Sequence, residues 1–376
     1  MEKELIAHIG SHFNELSDPR VERTKAYNLV ELVILCICAV ICGADDWVSM
    51  AKFGASKKDW WQKMGLFPNK TPSHDTLGRV FSLINADAFS QMFTSWMLSM
   101  SDLSQSKIIA LDGKVLRKSF DTSNGKAAIH MVSAWCVSNQ MVFGQTKVDE
   151  KSNEITAIPK LLSMLDIKGC IITADALNCQ KKIVSQIILQ EGHYVLALKG
   201  NHSTFEAEAS EYIDHAKKSS FIGVEHDYYE ETESNHGRIE VRRTWSMPCS
   251  WYEDKKDWDE LKTLVAVESE RIIGDTHSVE TRMYISDLKY DQAKLFHESV
   301  RGHWGVENNL HWQLDVTFQE DQSRVRTDHA PANLSLFRRI ALNLLKQEKS
   351  SKVGMKNKRL QAGWDEQYML KVLSNS

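Results

Sequence analysis

Residues 301–321, RGHWGVENNLHWQLDVTFQED, carry an ionisable side chain at every fourth position from 303 to 315. Residues four apart in a helix differ by about 40° around its axis, so the spacing predicts a helix with these groups on one face, running into a short strand or loop. Clustered carboxylates of this kind can hold divalent metal ions. The face consists of His303, Glu307, His311 and Asp315, with Trp304 and Trp312 beside it.

Two upstream segments, Lys107–Asp112 and Gly169–Asp175, are apolar runs that each end in an aspartate. Apolar runs of this length predict strands buried on both faces, and open α/β sheets place functional groups where such strands end. An aspartate after a strand also commonly caps the next turn, so that role stays open for both residues. Three close carboxylates would repel one another without a cation, so we expect Asp112, Asp175 and Glu307 to share a site for Mg²⁺ or Mn²⁺.

The same helix face allows a second interpretation, a zinc site formed by His303, Glu307 and His311. The spacing differs from HExxH, and no base or supporting partner accompanies it. A third interpretation is that His311 and Trp312 only pack this helix against the sheet.

The order of predicted elements divides the chain into segments. Residues 1–101 are predicted to be helical throughout and to form an all-α N-terminal domain. Residues 102–348 alternate strands and helices, which predicts an α/β sheet flanked by helices. Residues 220–288 interrupt this alternation and predict a β-rich, antiparallel insertion. Residues 349–376 predict a loose, basic C-terminal tail.

Composition limits the class of protein. The net charge is −4, so nucleic-acid binding would depend on local basic patches. Seven cysteines without CxxC spacing predict reduced thiols and a cytoplasmic location. The apolar run Leu29–Gly43 is too short to span a membrane and predicts a buried helix.

Seven motifs follow one another along nearly the whole chain. They are PSHDTLGRVF (Pro72–Phe81), ALDGK (Ala110–Lys114), KSNEI (Lys151–Ile155), TADALNCQ (Thr173–Gln180), LALKGNH (Leu196–His202), the 301–321 stretch and NLSLFRRIALNLL (Asn333–Leu345). This ordered set resembles the H-repeat-associated transposases linked to Rhs elements, which are insertion-sequence transposases with a DDE active site.

This resemblance implies an RNase H-like mixed sheet with Asp112, Asp175 and Glu307 as catalytic, metal-binding acids and two Mg²⁺ or Mn²⁺ ions as cofactors. It implies cleavage of transposon ends and strand transfer into target DNA. Double-stranded DNA would be the partner, with a homodimer or larger assembly on it and the N-terminal domain able to bind the DNA end. The alternative is an inactive or domesticated copy that only binds DNA.

Related transposases carry Tyr, Arg and Lys around the glutamate. In this chain Val300, His303 and Leu314 stand at those positions, with Arg301 as a partial substitute for the Arg.

Local basic residues are candidates for DNA contacts, although any one of them could be an ordinary surface charge. The tryptophans of the insertion, Trp245, Trp251 and Trp258, could stack on unpaired bases or pack in the core. The main candidates for DNA contacts are Lys114, Arg117, Lys118, Lys199, Arg301, His303, Arg324 and Arg326, followed by Arg238, Arg242, Arg243, Arg338, Arg339 and the segment Lys349–Arg359.

Overall fold

The computed structural model describes residues 2–100, 108–120, 127–148, 153–235 and 237–374. Lys107 of the predicted first strand, Lys151 of the KSNEI motif and the predicted domain boundary at residues 101–102 lie outside them. The described residues form an α/β structure. Its helices are α1 (Glu2–Ser11), α2 (Leu29–Ile41), α3 (Trp47–Ser56), α4 (Lys58–Met64), α5 (His74–Leu83), α6 (Ala86–Ser99), α7 (Glu154–Leu162), α8 (Lys181–Leu189), α9 (Ser203–Lys218), α10 (Ala293–Val306), α11 (Ala330–Gln347), α12 (Met355–Trp364) and α13 (Glu366–Leu373).

Nine strands of the described residues form one mixed sheet in the order β3-β2-β1-β4-β5-β9-β8-β7-β6. The strands are β1 (Ile108–Leu116), β2 (Ile129–Cys136), β3 (Met141–Lys147), β4 (Ile171–Ala174), β5 (His193–Leu198), β6 (Asp227–Asn235), β7 (Arg238–Pro248), β8 (Thr263–Ile273) and β9 (Thr276–Ser286).

The chain forms two compact units. Unit 1 comprises Met1–Asp102, Gly113–Asn153 and Glu307–Ser376, and unit 2 comprises Leu103–Asp112 and Glu154–Val306. Compact units and functional domains are different divisions of a chain. The predicted domains at 1–101 and 102–348 therefore stay a prediction.

Helices α1–α6 of unit 1 confirm the predicted helical character of the N-terminal region. The apolar run near residue 29 forms α2, in which every residue from Leu32 to Ile41 is buried. Asn28 begins this helix by accepting a bond from the backbone N–H of Val30, and Ser73 caps α5 in the same way through Thr76. Among the described helices, none is both long and apolar enough to cross a membrane.

The C-terminal region of unit 1 contradicts the prediction of a loose tail. Residues 355–373 form α12 and α13, and Lys358 and Arg359 are buried. The polar sequence was misleading because both basic side chains find buried acceptors: Lys358 donates to the carbonyl of Leu345 at 3.0 Å, and Arg359 donates to the carbonyl of Val40 at 3.0 Å.

Unit 2 contains the parallel part of the sheet, with β4 between β1 and β5. All four residues of β4 are buried, as the uniformly apolar sequence predicts. The antiparallel strands predicted between residues 220 and 288 are confirmed as β6–β9. They continue the sheet, because β9 pairs with β5.

Candidate active site

Asp112 and Asp175 follow neighbouring parallel strands of unit 2. The pairing of β1 with β4 ends at Leu111 beside Ala174, so Asp112 and Asp175 each come directly after the last paired residue of their strand. Neighbouring strands lie about 4.7–4.9 Å apart. β1 itself continues to Leu116. Asp112 therefore follows the end of the pairing with β4 but not the end of the strand, which corrects the sequence prediction.

Asp175 sits in a polar network at the end of β4. Its Oδ1 accepts a bond from the backbone N–H of Asn178 at 3.2 Å and another from the Asn178 side-chain amide at 2.7 Å. Burial raises the pKa of Asp175, and the nearby Glu154 carboxylate raises it further, while the bonds from Asn178 act the other way. The capping role that the sequence left open is therefore real, and within the described part of the chain both bonds to Asp175 end on Oδ1, which leaves Oδ2 for a ligand.

Glu154 and Asn178 belong to this site, although the sequence interpretation gave them no role. Both are buried, and the Asn178 amide also donates to Glu154 Oε2 at 2.8 Å. A buried amide that donates to two carboxylates fixes their orientation. Glu154 lies in the KSNEI motif and Asn178 in the TADALNCQ motif, and these positions are the signal in the sequence that could have identified them as site residues.

Helix α10 of unit 2 is tied to β4 through His303. Its Nδ1 lies 3.2 Å from the hydroxyl oxygen of Thr173, two residues before Asp175. Burial lowers the pKa of His303 to about 4, so the imidazole is neutral at pH 7. A neutral His303 cannot replace the charge of an arginine at a phosphate, although its predicted place beside DNA is not thereby tested.

The backbone changes from an α-helix to a π-helix at Glu307, the predicted catalytic glutamate. α10 ends at Val306, and Glu307–His311 and Gln313–Thr317 are π-helical turns of unit 1. The helix continues to Thr317 and then runs into a loop at residues 318–319, so the predicted loop is confirmed and the alternative of a short strand is wrong. π-Helical turns are rare and occur frequently at functional sites. The Glu307 side chain is 70% exposed, and its Oε2 lies 3.8 Å from His311 Nδ1, whereas His311 is buried.

Three basic candidates for DNA contacts in unit 1 are engaged with acidic or polar partners. Lys114 is buried, with Nζ 2.7 Å from Asp315 Oδ2 and 3.5 Å from Asp321 Oδ1. It therefore holds the end of the π-helical segment and cannot reach a phosphate without breaking these pairs. Arg117, largely exposed, lies 3.2 Å from Asp321, and Lys118 donates to a glutamine side chain.

The remaining main candidates for DNA contacts differ in their exposure and in their hydrogen-bond partners. Arg324 is exposed, Arg326 donates to the backbone carbonyl of Lys118 at 3.3 Å, and Lys199 is exposed directly after β5. In unit 2, Arg301 donates to Glu233 at 2.7 Å.

Arginines elsewhere serve the fold. Arg338 and Arg339 are buried beside the buried Glu320, with Arg339 Nη1 at 3.0 Å from its carboxylate, so their predicted DNA contacts are wrong. In the insertion, Arg242 and Arg243 are each paired with glutamates of β6–β8. Trp245 and Trp258 are buried, which decides for packing over base stacking.

Comparison with known proteins decides the family. The model described as "Transposase DDE domain" matches residues 103–344, and the model described as "DDE_Tnp_1-associated" matches residues 10–97. The chain belongs to the DDE transposase family.

Relatives within this family agree over the full length. The "H repeat-associated putative transposase YhhI" of Escherichia coli strain K12 is 39% identical over 377 residues, covering 99% of each chain. The "Putative transposase YncI" of Escherichia coli O157:H7 is 38% identical, covering 98% of this chain and 95% of that one. In the cryo-EM structure of a piggyBac transposase synaptic complex with hairpin DNA, one chain matches with a TM-score of 0.39 and 11% identity, covering 97% of this chain and 78% of that one.

Membership of this family implies use of a divalent metal ion. Asp112, Glu307 and His311 are side chains of the kind that can hold one.

Proposed function

We propose that this DDE transposase cuts transposon ends and joins them to target DNA, with Asp112, Asp175 and Glu307 as the acids that hold two divalent ions. The single observation that carries the proposal is the parallel pairing of β1 with β4, which ends one residue before Asp112 and one residue before Asp175. The bond between His303 and Thr173 supports the third acid, because it ties the helix leading into Glu307 to the strand leading into Asp175.

The donor set fits Mg²⁺ or Mn²⁺. All three side chains offer hard carboxylate oxygens, which these ions prefer. Burial and the neighbouring Glu154 raise the pKa of Asp175, so a nearby positive charge would relieve the cost of keeping this carboxylate ionised. The raised pKa is therefore what a site built to receive a cation would show before the cation binds.

The chain's own residues would position the reacting groups. The Asn178 amide donates to Oδ1 of Asp175, so Oδ2 would be the oxygen that binds a metal ion. Glu154 holds Asn178 in place by accepting a second bond from the same amide. When bound, two such ions would supply activation of the attacking hydroxyl and stabilisation of the leaving oxygen at phosphorus. Lys114 would keep the segment after Glu307 in place through Asp315.

The proposal extends to fold and partners. The order β3-β2-β1-β4-β5 with parallel β1, β4 and β5 supports an RNase H-like core carrying β6–β9 as the insertion. The N-terminal helices would form a domain that binds the transposon end. The substrate would be double-stranded DNA in the bacterial cytoplasm. A homodimer or larger assembly would be needed there, because strand transfer joins two ends.

The test is cleavage of the element's own ends by purified protein with Mg²⁺ or Mn²⁺. Asp112→Asn, Asp175→Asn and Glu307→Gln should each abolish cleavage while DNA binding persists. Asp214→Asn, a change of the same kind at an exposed position of α9, is the matched control and should cut normally. Cleavage that survives all three neutral substitutions would show that the acids are assigned wrongly.

Two alternatives give different results in the same assay. A copy that only binds DNA would bind the ends in both metals and cut in neither. A zinc hydrolase at His303, Glu307 and His311 would contain stoichiometric zinc by metal analysis.

A further inference from the structure

A groove of about 950 Å³ lies in unit 1 between the helices α3 and α5 and the segment 319–327. Asp112, Asp175 and Glu307 are not among its lining residues. Its lining side chains include four basic groups and three acidic ones. The basic groups are His74, Arg79, Arg324 and Arg326, and the acidic groups are Asp45, Asp46 and Asp75.

Two of the acidic groups in the groove are already committed to the fold. Asp45 accepts a bond from Arg359 at 2.7 Å. Asp46 caps α3 by accepting from the backbone N–H of Ser49 at 2.7 Å. Asp75, the third, lies 3.4 Å from the His74 ring. Arg359 therefore offsets the charge of Asp45, whereas Asp46 and Asp75 keep their negative charge and leave the three arginines with a small positive excess.

The arginines of the groove are the groups available to a ligand. Arg79 and Arg324 are both exposed, and neither forms an ion pair with another of the described residues. Their fork of N–H donors matches the geometry of a phosphate group. The groove is thus suited to an anion with phosphate-like oxygens.

A second cavity makes a chain-like anion the better fit. This cavity of about 180 Å³ shares Arg326 with the groove and adds Lys147, His329 and one acidic group, Asp328. Arg79, Arg324, Arg326 and Lys147 then provide several phosphate contacts along the two cavities. A polymer with regularly spaced phosphates would use them all, whereas a single phosphate ion would use one or two.

An aromatic side chain in the groove favours an unpaired strand. Trp47 is half-buried and lines the groove, and its ring lies flat against Phe81, with centroids 5.5 Å apart and planes 9° apart. Bases stack on such rings when they are not paired in a duplex. The groove volume is also that of a small-ligand pocket, which holds a few nucleotides and not a whole duplex.

We propose that this groove binds a short unpaired segment of a DNA strand, with Arg79, Arg324 and Arg326 on its phosphates and Trp47 against a base. The identity of the polymer as DNA rests on the proposed function. The groove would hold strand that has come free of its complement next to a cut end.

The test measures binding of the full chain to two fluorescent probes in EDTA, where no cleavage occurs. One probe is a duplex with a short single-stranded overhang, and the other is the blunt duplex of the same sequence. The wild type should prefer the overhang, and Trp47→Leu should weaken overhang binding roughly tenfold while leaving blunt binding unchanged.

The arginines are tested through the salt dependence of binding. For the overhang probe, Arg79→Gln/Arg324→Gln should make the negative slope of log affinity against log salt less steep by about 1.4. Each lost single-strand phosphate contact accounts for about 0.7. Lys182→Gln/Lys218→Gln is the control of equal charge change, because both side chains are exposed on α8 and α9, outside the groove and outside the proposed end-binding domain. Thermal melting confirms that each variant is folded.

Equal binding of the two probes by the wild type would overturn the inference, and so would a double-arginine variant that behaves like the control. If these results came with acid-dependent cleavage intact, the groove assignment alone would fail. A wild type that neither binds nor cuts DNA would overturn the proposed function as well.

Discussion

Loss of the Arg359 side chain is predicted to weaken unit 1. It is 4% exposed and belongs to α12. Its guanidinium donates to the carbonyl of Val40 from Nε at 3.1 Å and from Nη2 at 3.0 Å, and to Asp45 at 2.7 Å. It also donates to the carbonyl of Thr317 and lies 4.3 Å from the ring centre of Phe318. One side chain therefore connects α2, α12 and the end of the π-helical segment.

The expected loss of stability for Arg359→Ala follows from these contacts. Removing one partner of a buried ion pair costs about 3–5 kcal/mol, because the other charge and its acceptors are left without a donor. The Asp45 side chain is 29% exposed, so water can solvate part of its charge, and we take the lower end, about 3 kcal/mol. At about 2–4 °C per kcal/mol, the Tm should fall by about 6–12 °C.

Thermal unfolding is monitored by circular dichroism, and DNA cleavage is measured at a temperature where the variant is folded. Cleavage should also fall, because the segment that begins at Glu307 loses its anchor at Thr317. Lys356→Ala, an exposed change in the same helix, is the matched control. Arg359→Lys should be intermediate, since it keeps the charge but loses the fork of donors. An Arg359→Ala protein that melts with the control would refute this reasoning.

Two further predictions concern titration at the site. Because the pKa of Asp175 is raised in the fold, its charged form is disfavoured there, and stability falls as pH rises through that raised pKa. In EDTA, Asp175→Asn should therefore have a higher Tm than the wild type at pH 7, with the difference shrinking toward pH 4; a lower Tm at pH 7 would contradict the burial argument. The pKa of His303 near 4 predicts that its imidazole stays neutral between pH 8 and pH 6. NMR should show its titration below pH 5, and His303→Gln should leave the pH dependence of DNA binding over that range unchanged.

The sequence predicts the acidic residues of the site better than the backbone structure around them. Buried parallel strands require uniformly apolar residues, so the aspartates that end KIIALD and GCIITAD stand out. The sequence cannot show that β1 runs on to Leu116, because Gly113–Leu116 pairs no longer with β4. It also gives no signal for π-helical turns after Val306, since the same spacing of side chains suits an α-helix.

Basic residues were the least predictable feature. Lys114, Arg339 and Arg359 look like surface charges in the sequence, yet all three are buried with acidic partners. Each partner is distant in sequence: Asp315, Glu320 and Asp45. A buried charge is stable only when such a partner is supplied, and the pairing exists only once the chain has folded.

The most direct test of the metal-binding acids is a change of metal preference at Asp112. Cysteine in place of this aspartate offers a soft thiolate, which binds Mg²⁺ poorly and Mn²⁺ or Cd²⁺ better. The account predicts that Asp112→Cys fails to cut transposon ends in Mg²⁺ and regains cleavage in Mn²⁺ or Cd²⁺, while Asp112→Ser stays inactive with every metal. An Asp112→Cys protein that cuts in Mg²⁺ as well as the wild type does would contradict it.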